Sequence, residues 1–438
     1  MKKRLGWLSI ICFVSMLCLT ACSNETNQGA NGNEEGQVSL TMTAWGNPAE
    51  QAVYQRAIDA YMEKNENVSI ELIPAPGDTY LQQLLTQLQG SQAPDLFYVG
   101  EVQMAQLIAT GRIIELTDFL ESEESYVSID DFAPGIWGPA RKEDKIYGAS
   151  VDANPMLLYY NKNVLAEVGI DPDEPQRLYE AGEWNWENFQ RINEEVTASG
   201  KYGHVLETGA HHLFSWLWSN GGEMYGEDGS FVLADHTQGQ ETFSYLTENV
   251  WAGNFTYAGA LPEGQGGDAM FMSNQTAFVS AGRWFTPMFS ENEALDFDYI
   301  PYPTNTGEIL EPSFIATAYL AVGDHTENKE EALRFLSYYT SEQGQRDRLE
   351  NEGNAVPSVV SADDIIENAT IPDHASYLID TRDVGKVEDK QALVPGLSEQ
   401  LESIFDLLFL GQLDLDEAIE RLDKTANALI EENKQAQN

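Results

Sequence analysis

The chain has 438 residues, 42% of them hydrophobic and 11% aromatic, and its 71 Asp and Glu outnumber 24 Lys and Arg to leave a formal charge of −47. A surplus of that sign repels nucleic acid phosphates and offers no general basic face to anionic lipids, so no nucleic acid partner is expected. The acids are scattered along the chain, as in a solvated acidic shell, and the length exceeds what one core usually organises, so two lobes are expected.

In chain order, Lys2, Lys3 and Arg4 precede an apolar run from Leu5 to Leu19, and Leu19-Thr20-Ala21 places small residues ahead of Cys22. This is the layout of a secretory signal, too short for a comfortable membrane span. All three cysteines (Cys12, Cys18 and Cys22) fall here, so neither a disulfide framework nor a cysteine metal site is expected further on. The run resembles a bacterial lipobox. Residues 1–21 are expected to be a lipoprotein signal peptide and Cys22 the lipidated residue. Residues 22–37 lack a large apolar side chain and suit a solvated tether. No later apolar run approaches the roughly 20 residues of a membrane helix.

From Val38 to Trp45 apolar and polar residues alternate, which predicts a strand, and Gly46-Asn47-Pro48 breaks it. Tyr54, Ile58, Tyr61 and Met62 then mark a helix face, Val68, Ile70 and Leu72 a second strand, and Leu81, Leu84, Leu85 and Leu88 a second helix closed by Gly90 and Pro94. Leu96 to Val99 suits a buried parallel strand. Strand and helix alternate, which is α/β wiring with a parallel sheet. Ligands in such sheets sit beyond the carboxyl ends of the strands, so Trp45-Gly46-Asn47 and Tyr98-Val99-Gly100-Glu101 form one candidate rim. Trp45 alone could equally cap the core of the sheet.

The middle of the chain is rich in aromatic residues. Tyr147 to Asn161 runs from one strand-like segment into another across Asn154-Pro155. Asn185 is placed to cap a helix whose apolar face is Phe189, Ile192 and Val196. Trp216 and Trp218 precede a glycine turn at Gly221-Gly222, and Arg283-Trp284-Phe285 follows an apolar stretch at 277–279. Ala332, Phe335, Leu336 and Tyr339 mark a late helix, and Ile419, Leu422, Ala426, Leu429 and Ile430 the last one.

Taken together, an ordered set of short segments carries a resemblance. Ala93-Pro-Asp-Leu-Phe-Tyr98, Tyr147-Gly-Ala-Ser-Val-Asp152, Leu158-Tyr-Tyr-Asn-Lys162, Trp186-Glu-Asn-Phe189, Ser219-Asn-Gly-Gly222, Gly282-Arg-Trp284 and Phe335 to Gly344 occur in family order. The chain resembles the extracellular solute-binding proteins of ABC importers, in the carbohydrate-binding group with maltodextrin- and multiple-sugar-binding proteins. The resemblance implies an α/β, periplasmic-binding-protein-like class II fold, with two lobes joined by a hinge around a cleft. It divides the chain into an N-terminal lobe of 38–150 with 312–357 and a C-terminal lobe of 151–311 with 358–438, crossing near Ser150–Asn154, Pro312 and Pro357. It further implies a monomeric receptor for an oligosaccharide, with ABC permease subunits and, through the lipid anchor, the outer face of the membrane as partners. No cofactor is implied.

Together with the rim, it implies ligand contacts at Trp45, Asn47, Tyr98, Glu101, Asp152, Trp216, Trp218, Gly222, Arg283 and Trp284, with Arg283 pairing Asp152 across the cleft. An aromatic face suits the C–H side of a pyranose, and carboxylates, Asn and Arg suit its hydroxyls. One departure is that Gly396 to Leu401 holds no aromatic where some relatives place one. Three other readings compete. An extracellular glycan-active enzyme would need a carboxylate pair, which 71 acids make uninformative; Gly264-Gln-Gly-Gly267 lacks the Lys and Ser/Thr of a phosphate loop. His204, Glu207, His211 and His212 lie close in sequence, as a zinc site would need. A peptide, polyamine or other cationic solute would suit the acidic composition.

Overall fold

The computed structural model describes residues 36–75, 79–133, 135–262, 265–350 and 353–437. The expected signal peptide, Cys22 and the tether as far as residue 35 lie outside the described residues. The unit from Val38 onward holds two five-stranded sheets. In the first, Val38–Ala44 lies between Val68–Pro74 and Leu96–Gly100 and pairs parallel with both. Ala318–Val322 then joins Leu96–Gly100 antiparallel and carries Ala149–Ser150 on its far side. The second sheet repeats this plan. Tyr202–Leu206 pairs parallel with Phe255–Tyr257 and Thr276–Ala281, and Leu157–Asn161 and Phe297–Ile300 close the sheet antiparallel.

The local reasons follow from the sequence. Pro48 sits in the first turn of the helix Pro48–Lys64, and Asn47 closes a reciprocal capping box with Glu50. Asn47 Oδ1 accepts from the amides of Ala49 (2.9 Å) and Glu50 (3.1 Å), and Glu50 Oε2 accepts from the Asn47 amide (2.9 Å). The helix buries Val53, Tyr54, Ala57, Ile58 and Tyr61, while Met62 on the same face stays half-buried. Full burial of a side chain such as Ile58 contributes roughly 2 kcal/mol. Asn185 caps Trp186–Ala198 through the Asn188 amide, as its position predicts. Every residue of Leu157–Asn161 is buried, because both faces of that strand are covered.

The chain passes from one sheet to the other through segments held side by side. Asn154–Pro155 pairs antiparallel with Ile315–Ala316, and the Ala153 amide donates to the Val356 carbonyl at 3.0 Å. Past Pro357 the chain still lies against the first sheet's helices. Val359 bridges Phe132, and Asp364 pairs with Arg346 of the helix Glu342–Leu349. At His374 the chain meets the second sheet, the His374 amide donating to Asp298. Beyond it, Arg382 still pairs with Asp363 and donates to the Pro357 carbonyl, so the segment after Pro357 touches both sides.

A buried node holds these passages. Gln345 Nε2 donates to the Thr340 carbonyl (2.7 Å) and Ser358 Oγ (2.8 Å), and its Oε1 accepts from the Ser358 amide (2.8 Å). Ser358 Oγ in turn donates to the Ser150 carbonyl at 2.8 Å. Gln345→Leu would keep volume but strand a buried amide and a buried carbonyl. It is expected to cost about 2–4 kcal/mol in urea unfolding, and a loss under about 0.5 kcal/mol would show the node to be dispensable.

Candidate ligand-binding cleft

Beyond the carboxyl ends of strands from both sheets lies a cleft of about 690 Å³. Trp45 follows the end of Val38–Ala44 in the first sheet, and Trp284 follows the end of Thr276–Ala281 in the second. Both indoles line the cleft and both are half-buried. Each is set by a neighbouring glycine. Gly46 has φ +130°, a region closed to most side chains, and turns the chain sharply from strand into helix. A Cβ on Gly282 would collide with the Trp284 ring and with Asn154, so the indole packs directly over the glycine backbone. Trp45 stands edge-on to Tyr80 (5.3 Å) and Tyr98 (5.5 Å), which fixes its ring from behind.

The floor comes from the passages between the sheets, through Asp152, Asn154, Ala316 and Thr317. Thr317 Oγ1 donates to the Asp152 carbonyl (2.7 Å) and shares a hydrogen bond with Ser150 Oγ (2.9 Å). Asp152 Oδ1 accepts from the Ala318 amide at 2.9 Å. Glu101, 9% exposed, opens the helix Glu101–Thr110 where the helix N-terminus faces the cleft. Burial pushes its carboxyl up to about 7, with the Asp152 charge adding to that and backbone amides of Glu101 and Thr317 opposing it. Burial likewise raises Asp152 to about 6, against the pull of Arg348 and the Ala318 amide. Glu50, spent on one oxygen in the capping box, is also raised by burial. The second side contributes His211, whose imidazole burial lowers to about 4, and Glu402, raised to about 7 by burial with Glu399 and Asp406 adding to it.

Trp45, Tyr98, Glu101, Asp152 and Trp284 are therefore brought together. Tyr98 lines the wall yet is 1% exposed, its hydroxyl sharing a 2.7 Å hydrogen bond with Tyr339. The other expected contacts lie elsewhere. Asn47 is consumed by the helix cap. Arg283, 3% exposed, does not line the cleft and donates from Nη1 to the Ala355 carbonyl (2.9 Å), and the expected pair with Asp152 does not form. The cation that acts on Asp152 is instead Arg348, fully buried on the helix Glu342–Leu349, with its guanidinium 5.1 Å from the Tyr339 ring. Trp216 and Trp218 fail for a geometric reason. Their helix, Ala210–Trp218, meets the cleft at its first turn through Ala210 and His211, and six residues of rise carry the chain about 9 Å onward. Trp216 is fully buried beside Phe189 and His204, and Trp218 stacks on Phe314. Gly222 lies past that helix, packed against Leu217 and Gly239.

Glu50 was missed although its N3 place in the Asn47 capping box was legible. His211, Asn354, Ser398, Glu399 and Glu402 reach the cleft from distant parts of the chain, and no local signal marks them. The residues after Pro395, where no aromatic stands, supply Ser398, Glu399 and Glu402. A second cavity of about 210 Å³ shares Trp284 and His211 and adds Glu207, His212 and Asp268. Among the described residues no group of three or more His, Cys, Asp or Glu is placed to hold a metal ion. His204 is fully buried between Phe189 and Trp216, and His212 Nδ1 bonds Ser280 Oγ at 2.6 Å. Among the described residues no helix is long and apolar enough to cross a membrane.

Residues 45–346 match the family described as bacterial extracellular solute-binding protein. The chain is similar to the diacetylchitobiose binding protein DasA of Streptomyces coelicolor, 23% identical over 342 residues that make up 75% of this chain and 76% of that one. An uncharacterized lipoprotein of Streptomyces antibioticus is 22% identical over 334 residues, 74% of this chain and 70% of that one. An ABC substrate-binding protein from Listeria monocytogenes, solved in complex with cycloalternan, has TM-score 0.78 and 18% identity, covering 90% of this chain and 98% of that one. The fold is thus the two-lobe α/β fold of solute-binding proteins.

The Glu101 carboxyl supplies a test. The folded protein keeps its proton up to about pH 7, whereas the unfolded chain releases it in the ordinary carboxylate range. The charge therefore opposes folding above that window, and its contribution to stability falls as pH rises through it. Glu101→Gln is expected to raise stability by about 1–3 kcal/mol near pH 8, the gain shrinking toward pH 5. Thermal unfolding at both pH values reads it, and a gain independent of pH would exclude this cause.

Proposed function

Because the chain belongs to the bacterial extracellular solute-binding protein family, we propose that it captures an oligosaccharide outside the cell and delivers it to the permease of an ABC importer. The observation that carries this reading is the pair of half-buried indoles, one from the end of a strand in each sheet, facing one cleft. Pyranose rings offer C–H faces to such platforms, and the carboxylates and Asn154 around them accept from hydroxyls. Similarity to a diacetylchitobiose binding protein points the same way.

The mechanism is capture by closure. One lobe takes the first sheet with its helices, the other takes the second sheet and the helices after His374, and the passages between them act as the hinge. A ligand that touches Trp45 and Trp284 at once binds the closed form better than the open one. It shifts the hinge equilibrium by that difference and by no more. The role asked of the side chains that line the cleft is binding, as platforms and hydrogen-bond acceptors. Lipidation at Cys22 would keep the receptor beside its permease, and similarity to an uncharacterized lipoprotein supports it.

Trp284→Ala and Trp45→Ala are each expected to weaken oligosaccharide binding about 10- to 100-fold in fluorescence or calorimetric titration. Trp218→Phe, a change in the core, should leave binding within about twofold. Equal effects from all three would sink the platform assignment. For the anchor, Cys22→Ser should move the protein from the membrane fraction to the medium, and retention in membranes would refute lipidation at that residue.

A further inference from the structure

Resting on the oligosaccharide reading, the charges of the cleft narrow the class of sugar. Glu50, Glu101 and Asp152 line it from the side of the first sheet, and Glu399 and Glu402, one turn apart on the helix Leu397–Phe409, line it from the other. Among the described residues no lysine or arginine lines the cleft. Arg348, the cation nearest in effect, is fully buried behind the wall. Its guanidinium packs against the Tyr339 ring and donates to the Val151 carbonyl, so it is not presented to a ligand. The imidazole of His211 is uncharged at neutral pH, because burial disfavours its protonation.

A second observation, without involving charge, concerns what the ligand must donate. Asn354 lines the cleft and is 4% exposed. Its Nδ2 donates to Glu50 Oε1 (3.4 Å) and to the Tyr54 hydroxyl (3.3 Å), which leaves its buried Oδ1 as an acceptor with no donor. Unmet acceptance is costly in a buried place and asks for a donor from the ligand. An ammonium brings three donors, no acceptor and a positive charge.

We propose that the oligosaccharide is a basic one, built from amino sugars, whose ammonium groups lie among Glu50, Glu101, Asp152 and Glu402 while its rings stack on Trp45 and Trp284. The physical ground is closure. Bringing the two sides together around a neutral sugar brings the acids closer and takes them from water, a cost met only by their taking up protons or by the neutral donors of hydroxyls. An ammonium between them turns the same approach into attraction through charge-assisted hydrogen bonds. The indoles contribute as well, since an electron-rich face attracts a cation as well as a C–H surface. They also separate this ligand from a plain polyamine, which would leave two platforms without rings to stack. Outside the cleft, the charge of −47 draws cationic solutes toward the protein and speeds encounter.

The test titrates the full-length protein with three tetrasaccharides of equal length, the glucosamine tetramer, its fully N-acetylated form and maltotetraose, and with spermidine, in low and high salt. The glucosamine tetramer is expected to bind at least about tenfold tighter than either neutral tetramer in low salt, with the ratio falling as salt rises. Glu402→Gln, at a half-exposed position, and Glu101→Gln should each lower that ratio at least about threefold. A neutral tetramer that binds as tightly as the glucosamine tetramer, or a ratio unmoved by both variants, would overturn the proposal and leave the oligosaccharide reading standing. Spermidine binding with silence from all three sugars would overturn both.

Discussion

The hydroxyl of Thr317 touches both the Asp152 carbonyl and the Ser150 hydroxyl, and through it two segments running between the sheets are tied at the point where the cleft has its floor. Asn154 Oδ1 accepts from the Val356 amide at 3.0 Å and adds a further part of the chain to the same joint. Backbone groups buried in such a passage cannot turn to water, so each needs a partner within the bundle of crossings. That requirement holds Asp152 and Asn154 in place at the centre of the cleft.

The same neighbourhood stores electrostatic cost. Glu101, Asp152 and Glu402 all sit where burial disfavours their charge, and Arg348 offsets only part of the cost at Asp152. A core free to choose would have placed apolar side chains there. Groups held in an unfavourable protonation balance cluster at functional sites because the same desolvation strengthens their contact with a ligand. The two aromatic walls obey a related rule. Trp45 and Trp284 remain half-exposed beside glycines, whereas Trp216 and Trp218 are sunk among Phe189, His204 and Phe314.

Local pattern carried much of the architecture. Alternation over Val38–Trp45 and Val68–Leu72, the continuous apolar run at Leu96–Val99, and the Asn185 cap each correspond to an element at nearly the expected place. Those signals are local, because a strand or helix shows its buried face in the spacing of its own residues. The rim at Trp45 and Glu101 was legible for the same reason, since strand ends are known once strands are known. Trp216 and Trp218 show where this stops. Both are aromatic and close in sequence to residues of the cleft, yet the rise of their helix takes them into the core. Arg283 is next to Trp284 in sequence, yet Trp284 lines the cleft while Arg283 is buried on the Ala355 carbonyl.

The sequence by itself determined the alternation of strand and helix, the absence of thiols after Cys22, the anionic balance and the indole-bearing strand ends, all of which depend on neighbours along the chain. Only the tertiary structure decided which acids face one another, that Arg348 and not Arg283 acts on Asp152, and that Asn354, Glu399 and Glu402 join the cleft. These groups are separated by up to hundreds of residues, and their meeting depends on how two sheets and three chain passages pack. Spacing along one segment carries no record of that packing, because the contacts are made by surfaces that exist only after the segments have folded.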